Sequence, residues 1–371
     1  MKASLILALI CVALPLAAQD NVDARARQVD TILSFLDTKT APGTAVLVID
    51  RGKKVYERCF GVTDLRTFQP IDSRTNFRLA SVTKQFTAMA IMLLAHDGKL
   101  RYDGHLTDVF PDFPDYGRSI TVRNLLNHTS GLQDYEDLMT NYDSDVPEGQ
   151  LRQIQDAEVM HLLKQQKSTK FLPGSKWAYS NSGYVILGLI VQKLSGKPFG
   201  DFLRDRIFTP LGMSNTIVYE KGKNQVAHRA YGHTRKDGHW EQTDQSTTSA
   251  TQGDGGVYSS LDDLAKWDRA WRDHTLLSEA EVEPALTPVK PPNGLPEEPD
   301  GEPADYGFGW FLNSYKGHKR MWHYGETVGF RTTIQRFPDD RLTVIILSNR
   351  SDLVPAELAL KVADVYLGAQ N

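Results

Sequence analysis

The sequence predicts an α+β fold, in which one antiparallel sheet is built from both ends of the chain, flanked by helices, with a mainly helical lobe inserted. Strand-like runs lie near the start, at 44–61, and return near the end, at 306–349. Apolar residues at helical spacing dominate the segment between them. Strands at both ends with helices between indicate one sheet to which both termini contribute.

The first predicted elements are a helix and a hairpin. The run "ARQVDTILSFLD" (26–37) carries apolar residues at helical spacing, and Pro42 and Gly43 follow it. The run "TAVLVIDRGKKVYERCFG" (44–61) predicts two strands joined by a tight turn at Asp50 to Lys53.

The middle of the chain is predicted to be helical. A long apolar helix begins at about Ser81, in a stretch that is apolar on every side from Phe77 to Leu94. A helix of this kind is normally buried in the core of a large domain. Two more helices are predicted at 183–196 and 261–273.

The last part of the chain returns to strands. Residues 283–303 are rich in proline, glycine and acidic residues, which predicts a surface loop. Four strands and a closing helix then follow; the strands are "YGFGWFLN", "HKRMWHYG", "GFRTTIQRF" and "RLTVIILSN", and the helix is "PAELALKVADVYLG". No internal repeat is visible.

The N-terminus is typical of a secretory signal peptide at 1–18. Lys2 precedes an apolar run from Ala3 to Leu14, and small residues follow at Ala17 and Ala18. The alternative is a membrane anchor, but the run is shorter than the about 20 residues that span a bilayer. We therefore expect a periplasmic or secreted protein without stable membrane insertion, its single domain covering 19–371. The α/β lobe is predicted at about 28–80 and 300–371, and the helical lobe at about 81–299.

The composition narrows the possible partners. Of the 371 residues 40% are hydrophobic and 24% charged, and the formal net charge is −4. These values are typical of a globular protein, and no basic stripe indicates a nucleic-acid partner. Once the signal peptide is removed, Cys59 is the only cysteine, and without a partner base we interpret it as structural.

Ser81 and Lys84 stand three residues apart at the start of the apolar helix. On a helix they share one face, and the helix N-terminus favours an emerging oxyanion at the serine. A lysine in an apolar site can lose its proton and act as a base for the hydroxyl. The alternative is a serine that caps the helix and a lysine that extends to the surface.

Two further polar triplets follow along the chain. Tyr179-Ser180-Asn181 stands on a turn before an apolar helix, where a tyrosine can relay a proton and an asparagine can hold a lysine and a substrate amide. Ordinary turn chemistry is the alternative. His323-Tyr324-Gly325 lies on a predicted strand, whose edge can pair with a substrate and whose backbone N–H can complete an oxyanion hole.

These three motifs, in this order, resemble those of the penicillin-recognising serine enzymes. The version with Tyr-x-Asn in the middle is similar to class C β-lactamases and their relatives, the D-Ala-D-Ala carboxypeptidases, D-aminopeptidases and β-lactamase-fold esterases. The stretches that carry the resemblance are "FRLASVTKQFTAMAIMLL", "ITVRNLLNHTSGL", "FLPGSKWAYSNSGYVILG", "PLGMSNT", "GDGGVYSSLDDLAKW" and "HYGETVGF". The resemblance implies a β-lactamase/transpeptidase-like fold.

The resemblance also implies roles for single residues. Ser81 is the acylated nucleophile, Lys84 its base partner and Tyr179 the proton shuttle to the leaving group. Asn181 positions the substrate, and His323 stands where many relatives have a lysine. The oxyanion hole is formed by the backbone N–H groups of Ser81 and Glu326, the residue after Gly325. Gln133 and Asp134 are expected to line the cleft.

One residue departs from the family pattern. The third motif often has a central threonine that helps to hold the carboxylate of the substrate, and here that residue is Tyr324. Together with His323 in place of lysine, this puts the recognition of penicillins and D-Ala-D-Ala peptides in doubt, and Arg331 or the Tyr324 hydroxyl could compensate.

No metal or cofactor is expected. His228, His233 and His239 are widely spaced in a polar segment, which predicts a solvated loop and no zinc site. The Gly-x-Ser-x-Gly elbow of the α/β-hydrolases is also missing from the sequence.

The function predicted from the sequence is an exported serine hydrolase that forms an acyl-enzyme on Ser81 and cleaves a small ester, amide, peptide or β-lactam. The alternative is a penicillin-binding or sensor protein on the same fold that is acylated without turnover.

Overall fold

The structure is a computed structural model that describes residues 16–140, 142, 146–147, 150–288 and 304–368. The predicted signal peptide therefore lies almost wholly outside the described residues. The strands are β1 (Thr44–Asp50), β2 (Lys53–Phe60), β3 (Phe77–Arg78), β4 (Ile217–Val218), β5 (His233–Lys236), β6 (His239–Gln242), β7 (Val257–Ser259), β8 (Asp305–Tyr306), β9 (Phe311–Tyr315), β10 (His318–Thr327), β11 (Phe330–Phe337) and β12 (Leu342–Ser348).

The helices surround these strands. They are α1 (Leu16–Leu33), α2 (Lys84–His96), α3 (Leu106–Val109), α4 (Val122–Leu126), α5 (Tyr135–Leu138), α6 (Asp156–Lys164), α7 (Asn181–Ser195), α8 (Phe199–Leu203), α9 (Thr209–Leu211), α10 (Leu261–Arg272), α11 (Glu279–Leu286) and α12 (Pro355–Asp364). Short 3₁₀ turns occur at Ser34–Leu36, Ala80–Thr83 and Asp115–Ser119, and a π-helical turn at Arg204–Phe208. Among the described residues, no helix is both long and apolar enough to cross a bilayer.

The main sheet has seven antiparallel strands in the order β2-β1-β12-β11-β10-β9-β8. The strand β1 lies between its hairpin partner β2 and the C-terminal strand β12, with Thr44 opposite Ser348. Because strands from the two ends of the chain pair side by side in one sheet, the α+β class and the two-ended sheet predicted from the sequence are confirmed.

The alternation of side chains along β1 separates two apolar clusters. Ala45, Leu47 and Ile49 face the helical lobe and pack with α2, α7 and α10. Val46 and Val48 face the opposite side and pack against α1 and α12. Successive side chains of a strand point to opposite faces, so a strand covered by helices on both faces is apolar throughout.

Asn349 ties the sheet to the helical lobe from a fully buried position just after β12. Its Oδ1 accepts a hydrogen bond from the N–H of Gly43 at 2.7 Å. Its Nδ2 donates to the carbonyl groups of Val62, Thr63 and Tyr231 at 2.9–3.1 Å. One carboxamide therefore joins three segments that are distant in sequence.

Three predictions about elements need correction. The run 306–313 is not one strand: β8 and β9 are separated by a turn in which Gly309 has φ +77°. The predicted loop 283–303 begins in a helix, because α11 continues to Leu286, and residues 289–303 lie outside the described residues. His233 does not lie in a solvated loop, because it begins β5 and is buried.

Candidate active site

Ser81 lies in the 3₁₀ turn that leads into α2, directly beside strand β10. The turn is fixed by the carbonyl of Leu79, which accepts a hydrogen bond from Thr332 Oγ1 at 2.8 Å. Gly325 makes this approach possible, because a Cβ at that position would stand 2.0 Å from the same carbonyl oxygen. Ala80, just before the serine, has φ +47°, in the left-handed region. The backbone immediately before Ser81 is therefore held in an uncommon conformation against the strand.

Lys84 begins α2 and is completely buried. Its Nζ donates to Ser81 Oγ at 3.0 Å, to Asn181 Oδ1 at 2.8 Å and to the carbonyl of Asp254 at 3.0 Å. Burial lowers the pKa of Lys84 to about 8, although the carboxylate of Asp254 opposes the shift. The alternative of a lysine that extends to the surface is therefore wrong, and a substantial neutral fraction of Lys84 exists near pH 8.

Tyr179 is close to both Ser81 and Lys84. Its ring centroid is 4.8 Å from Lys84 Nζ. Burial raises the pKa of Tyr179 well above its ordinary value, although the nearby Ser81 side chain opposes the shift. Tyr179 therefore keeps its proton and can donate it.

Asn181 begins α7, and Ser180 caps the helix by accepting a hydrogen bond from the N–H of Gly183 at 3.2 Å. The turn chemistry considered as an alternative thus applies to Ser180, whereas Asn181 contacts the site. Its N–H donates to Asp134 Oδ2 at 2.9 Å, and its Nδ2 donates to Glu136 Oε1 at 3.1 Å. The carboxamide is therefore held between Lys84 and an acidic wall.

The acidic wall consists of Asp134 and Glu136, on the loop after "HTSGL" and at the start of α5. Asp134 is half-buried, and burial raises its pKa; Glu136 is open to solvent. Gln133, the neighbour of Asp134, is half-buried. Asp134 and Gln133 were predicted to line a cleft, whereas Glu136 was not predicted at all. Its only signal in the sequence is the acidic character of this loop.

His323 faces the interior of the molecule from strand β10, and its side chain is fully buried. Its Nδ1 stands 2.6 Å from the carbonyl of Tyr324 and therefore carries the proton, while its Nε2 accepts a hydrogen bond from the Tyr306 hydroxyl at 2.9 Å. Burial and the charge of Lys84 lower the pKa of His323 to about 3. The ring is thus neutral, and both of its nitrogens are engaged by protein groups. This geometry favours a role beneath the site over direct contact with a substrate.

Two of the other residues predicted on β10, Tyr324 and Glu326, lie nearer the surface than His323. Tyr324 is half-buried and stacks on Phe311 at a centroid distance of 6.1 Å. Glu326 is exposed, and its carboxylate pairs with Arg331 at 2.7 Å. Arg331 also donates to the carbonyls of Thr327 and Phe330. The guanidinium that could have replaced the missing lysine is therefore already engaged.

The backbone N–H of Glu326 is directed by the strand register. Thr327 and Phe330 face each other across a two-residue turn, and such a closing pair exchanges backbone hydrogen bonds. Glu326 precedes Thr327 and belongs to the adjacent pair, in which the backbone groups point outward. Its N–H therefore points away from β11. Within the described residues, strand β9 pairs with β10 only as far as Trp322, so Glu326 lies beyond that pairing, on the part of β10 that contacts the Ser81 turn.

Three residues stand apart from these groups, namely Cys59, His228 and His239. Cys59 packs beside the core, and burial raises the pKa of its thiol to about 12, so it is not a ready nucleophile. His228 and His239 are exposed, away from buried His233. Within the part of the chain that is described, no three or more His, Cys, Asp or Glu side chains form a group that could hold a metal ion.

Comparisons with known proteins agree with this geometry. Residues 29–367 match the family described as "Beta-lactamase". The chain is 35% identical over 359 residues to penicillin-binding protein 4* of Bacillus subtilis strain 168, covering 93% of this chain and 76% of that protein. It is 30% identical to D-aminopeptidase of Brucella anthropi over 89% of its own length, but spans only 60% of that protein.

Solved structures give the same result for the fold. The octameric penicillin-binding protein homologue from Pyrococcus abyssi superposes with a TM-score of 0.78 at 25% identity, covering 93% of this chain and 77% of that one. D-amino acid amidase from Ochrobactrum anthropi SV3 gives a TM-score of 0.75 at 24% identity, over 93% and 98% of the two chains. The relatives support a serine hydrolase kind of function. The chain belongs to the β-lactamase family.

Proposed function

We propose that this protein is a serine hydrolase that is acylated on Ser81 and cleaves amide or ester bonds in small substrates. The main support for the proposal is the 3.0 Å hydrogen bond between Ser81 Oγ and the Nζ of Lys84. Lys84 is buried, and burial lowers its pKa to about 8. A lysine with that pKa can accept the hydroxyl proton near neutral pH, which is the requirement for an activated serine.

The reaction follows from the positions of these groups. Neutral Lys84 takes the proton of Ser81 as Oγ attacks the carbonyl carbon, and the oxyanion lies between the N–H groups of Ser81 and Glu326. The bond to the leaving group then breaks, and Tyr179 donates its proton to that group while Lys84 returns a proton to Tyr179. Water then attacks the acyl-enzyme and gives up a proton to neutral Lys84, and Lys84 passes this proton to Ser81 Oγ as the acid departs.

The charges around the serine favour some substrates over others. Asp134 and Glu136 stand beside Asn181, His323 is neutral, and Arg331 is engaged by Glu326. Among the described residues, neither His323 nor Arg331 thus offers a free positive charge to a substrate carboxylate, and such a carboxylate meets like charges, whereas a substrate amine can approach a carboxylate. We therefore propose neutral or amine-bearing amides and esters as preferred substrates, in keeping with the names of the D-aminopeptidase relatives.

The test follows a fluorophosphonate label and a fluorescent penicillin over time in the wild type and in Ser81→Ala. We expect rapid labelling of the wild type, slow clearing of the acyl group, and no labelling of Ser81→Ala, which stays folded. A penicillin label that persists while no substrate is hydrolysed would instead indicate the sensor. Labelling of Ser81→Ala would disprove acylation at this serine.

The preference among substrates needs a separate panel. It compares kcat/KM for p-nitrophenyl butyrate, nitrocefin and the p-nitroanilides of D- and L-amino acids with free amines. We expect the ester and the anilides to exceed nitrocefin by about 10- to 100-fold, the equivalent of one charge-assisted hydrogen bond. If nitrocefin is the best substrate, the proposed preference is wrong while the acylation mechanism stands.

Export is also a proposal, supported by the N-terminal pattern of the sequence. The N-terminal sequence of the protein recovered outside the cytoplasm tests it: we expect it to begin after about Ala18, and retention of Met1 would contradict cleavage.

A further inference from the structure

We infer that His128 is a positioning residue for Tyr179, an inference that rests on the proposed function. His128 belongs to none of the three motifs, and its segment is the support on which the loop before Tyr179 lies. The N–H groups of Lys170, Gly174 and Ala178 donate to the carbonyls of Gly131, Thr129 and His128 at 2.7, 2.8 and 3.0 Å. The loop that carries the tyrosine is therefore fixed along its length by backbone hydrogen bonds to residues 128–131.

The side chain of His128 completes this support at two points. Its Nδ1 accepts a hydrogen bond from the N–H of Ser180 at 3.1 Å. Its ring lies against the ring of Tyr179 at a centroid distance of 4.3 Å and an angle of 34°. One buried side chain thus fixes the backbone immediately after Tyr179 and one face of the tyrosine ring. These two contacts leave the hydroxyl little freedom except toward Ser81.

The protonation state of His128 follows from its contacts. Because Nδ1 accepts a hydrogen bond, the neutral ring carries its proton on Nε2, and among the described residues that buried nitrogen has no hydrogen-bond partner. Burial and the charge of Lys84 lower the pKa of His128 well below its ordinary value. A protonated ring could not accept the Ser180 N–H.

The unpartnered Nε2 shows that a histidine at position 128 has a cost, so its other nitrogen must provide a benefit. A buried polar atom without a partner is unfavourable, and an apolar residue would fill the same space without it. His128 also has φ +61°, a value that histidine tolerates better than most residues. The feature that an apolar residue cannot supply is the Nδ1 acceptor for Ser180. We therefore assign the function of this side chain to the Tyr179-Ser180 turn.

Loss of the His128 contacts should have a specific effect on the kinetics. Tyr179 donates a proton to the leaving group, and a poor leaving group such as an amine needs that proton more than p-nitrophenolate does. Loss of the His128 contacts should therefore slow amide cleavage much more than cleavage of a p-nitrophenyl ester. Substrate binding should change little, because His128 is buried behind Tyr179 and 1% exposed.

The experiment compares His128→Leu, His128→Asn and His128→Phe in the full chain, with His161→Asn as a control at an exposed histidine. Asparagine places an oxygen near the position of Nδ1, whereas phenylalanine keeps a ring without the acceptor. For an aminoacyl p-nitroanilide we expect kcat to fall about 100-fold in His128→Leu with KM within about threefold, and p-nitrophenyl butyrate to lose less than about tenfold. We expect His128→Asn to recover most of the amide rate and His128→Phe to recover little.

A double-mutant cycle with Tyr179→Phe decides whether the effect passes through the tyrosine. We expect His128→Leu to add almost nothing in the Tyr179→Phe background. Full additivity, or equal losses for amide and ester, would overturn the inference. If His128→Leu does not fold, the other two variants provide the test. An amide kcat for His128→Phe as high as that for His128→Asn would overturn the inference. Failure of Ser81 labelling in the wild type would instead disprove the proposed function.

Discussion

At the scale of single residues, the site depends on one lysine whose environment is mixed. Lys84 is completely buried, which favours the neutral form, yet three oxygen atoms accept hydrogen bonds from its Nζ, which favours the charged form. Burial is the larger effect, and the result is a pKa of about 8. Such a lysine can both take and return a proton within one catalytic cycle.

The pH dependence of acylation should follow Lys84. Because the neutral form is the base, we expect kcat/KM to rise with pH from 6 and level off above about 8, the pKa of this group. Lys84→Arg should lose at least about 10²-fold, because arginine keeps its charge at every accessible pH. The measurement is a pH–rate profile for a neutral ester. A wild-type profile that is flat from pH 6 to 9, or an arginine variant that keeps most of the rate, would contradict this role.

Glu136 should determine the preference for amines. Its Oε1 is 3.1 Å from Asn181 Nδ2 and its side chain is open to solvent, so a substrate ammonium can reach it. We expect Glu136→Gln to lower kcat/KM for a free-amine p-nitroanilide about 10- to 100-fold and to leave its N-acetyl derivative within about threefold. Asp137→Asn, one residue later and also exposed, is the matched control. Equal effects on both substrates would assign Glu136 to the support of Asn181 alone.

At the scale of secondary-structure elements, the strands at the centre of the sheet were predicted well, because their apolar pattern is strong. The strands β3, β4 and β7 have only two or three residues and were not predicted. Pairing between segments far apart in sequence defines them, for example Phe77 opposite Ser259. The turn between β8 and β9 was missed because its left-handed glycine lies within an otherwise strand-like run.

The site shows the same contrast: residues in local sequence motifs were predicted, and residues brought in from distant segments were not. Ser81, Lys84, Tyr179 and Asn181 belong to short motifs, and the structure brings all four together. Glu136, His128 and Asp254 were missed. Each of them contacts the site across a separation of 45 to 170 residues and leaves no local spacing pattern.

The start of helix α6 carries a carboxyl group that is costly to ionise. Asp156 is buried, its Oδ1 accepts a hydrogen bond from the N–H of Gln252 at 3.0 Å, and burial raises its pKa to about 8. Because the folded pKa exceeds the unfolded value near 4, the folded state keeps a proton that the unfolded chain has lost between these pH values. The contribution of Asp156 to stability is thus complete below about pH 4 and is lost as the pH rises toward 8.

Asp156→Asn should remove this loss of stability. The variant keeps an oxygen for Gln252, and we expect its free energy of unfolding to exceed that of the wild type at pH 8 and to vary less between pH 5 and 8. The wild type should lose up to about 1.4 kcal/mol per pH unit through this group. Urea unfolding at several pH values measures this free energy. The control is Asp115→Asn, because the Asp115 side chain is 91% exposed. Parallel curves for wild type and Asp156→Asn would show that Asp156 does not titrate in this range.

At the scale of the whole molecule, Asn349 is the point where both ends of the chain and the helical lobe meet. Removal of its carboxamide leaves one backbone N–H and three carbonyl groups without this partner. We expect Asn349→Ala to lower the free energy of unfolding by about 3 kcal/mol or more, since each buried group left unpaired costs about 1–3 kcal/mol.

Asn349→Asp is the matched comparison, because it keeps the acceptor for Gly43 and removes the donors. Asn215→Ala is the control, since among the described residues that side chain makes a single, long hydrogen bond of 3.4 Å to the carbonyl of Arg74. The measurement is denaturant unfolding followed by tryptophan fluorescence and circular dichroism, which should report one transition for both lobes. A cost for Asn349→Ala no larger than that for Asn215→Ala would show that the three segments are held together elsewhere.

The pairing of β1 with β12 also has a consequence for protein synthesis. The hydroxyl groups of Thr44 and Ser348 are 304 residues apart in sequence and 3.0 Å apart in the fold. At about 5–20 residues per second, translation takes roughly 15–60 s to deliver the partner of β1 after β1 itself has been made. Throughout that interval the nascent hairpin β1–β2 presents an unpaired apolar edge to the surrounding ribosome and chaperones. We expect ribosome-bound chains stalled before residue 342 to be cleaved rapidly by protease within 44–60, and chains that have released residue 348 to resist.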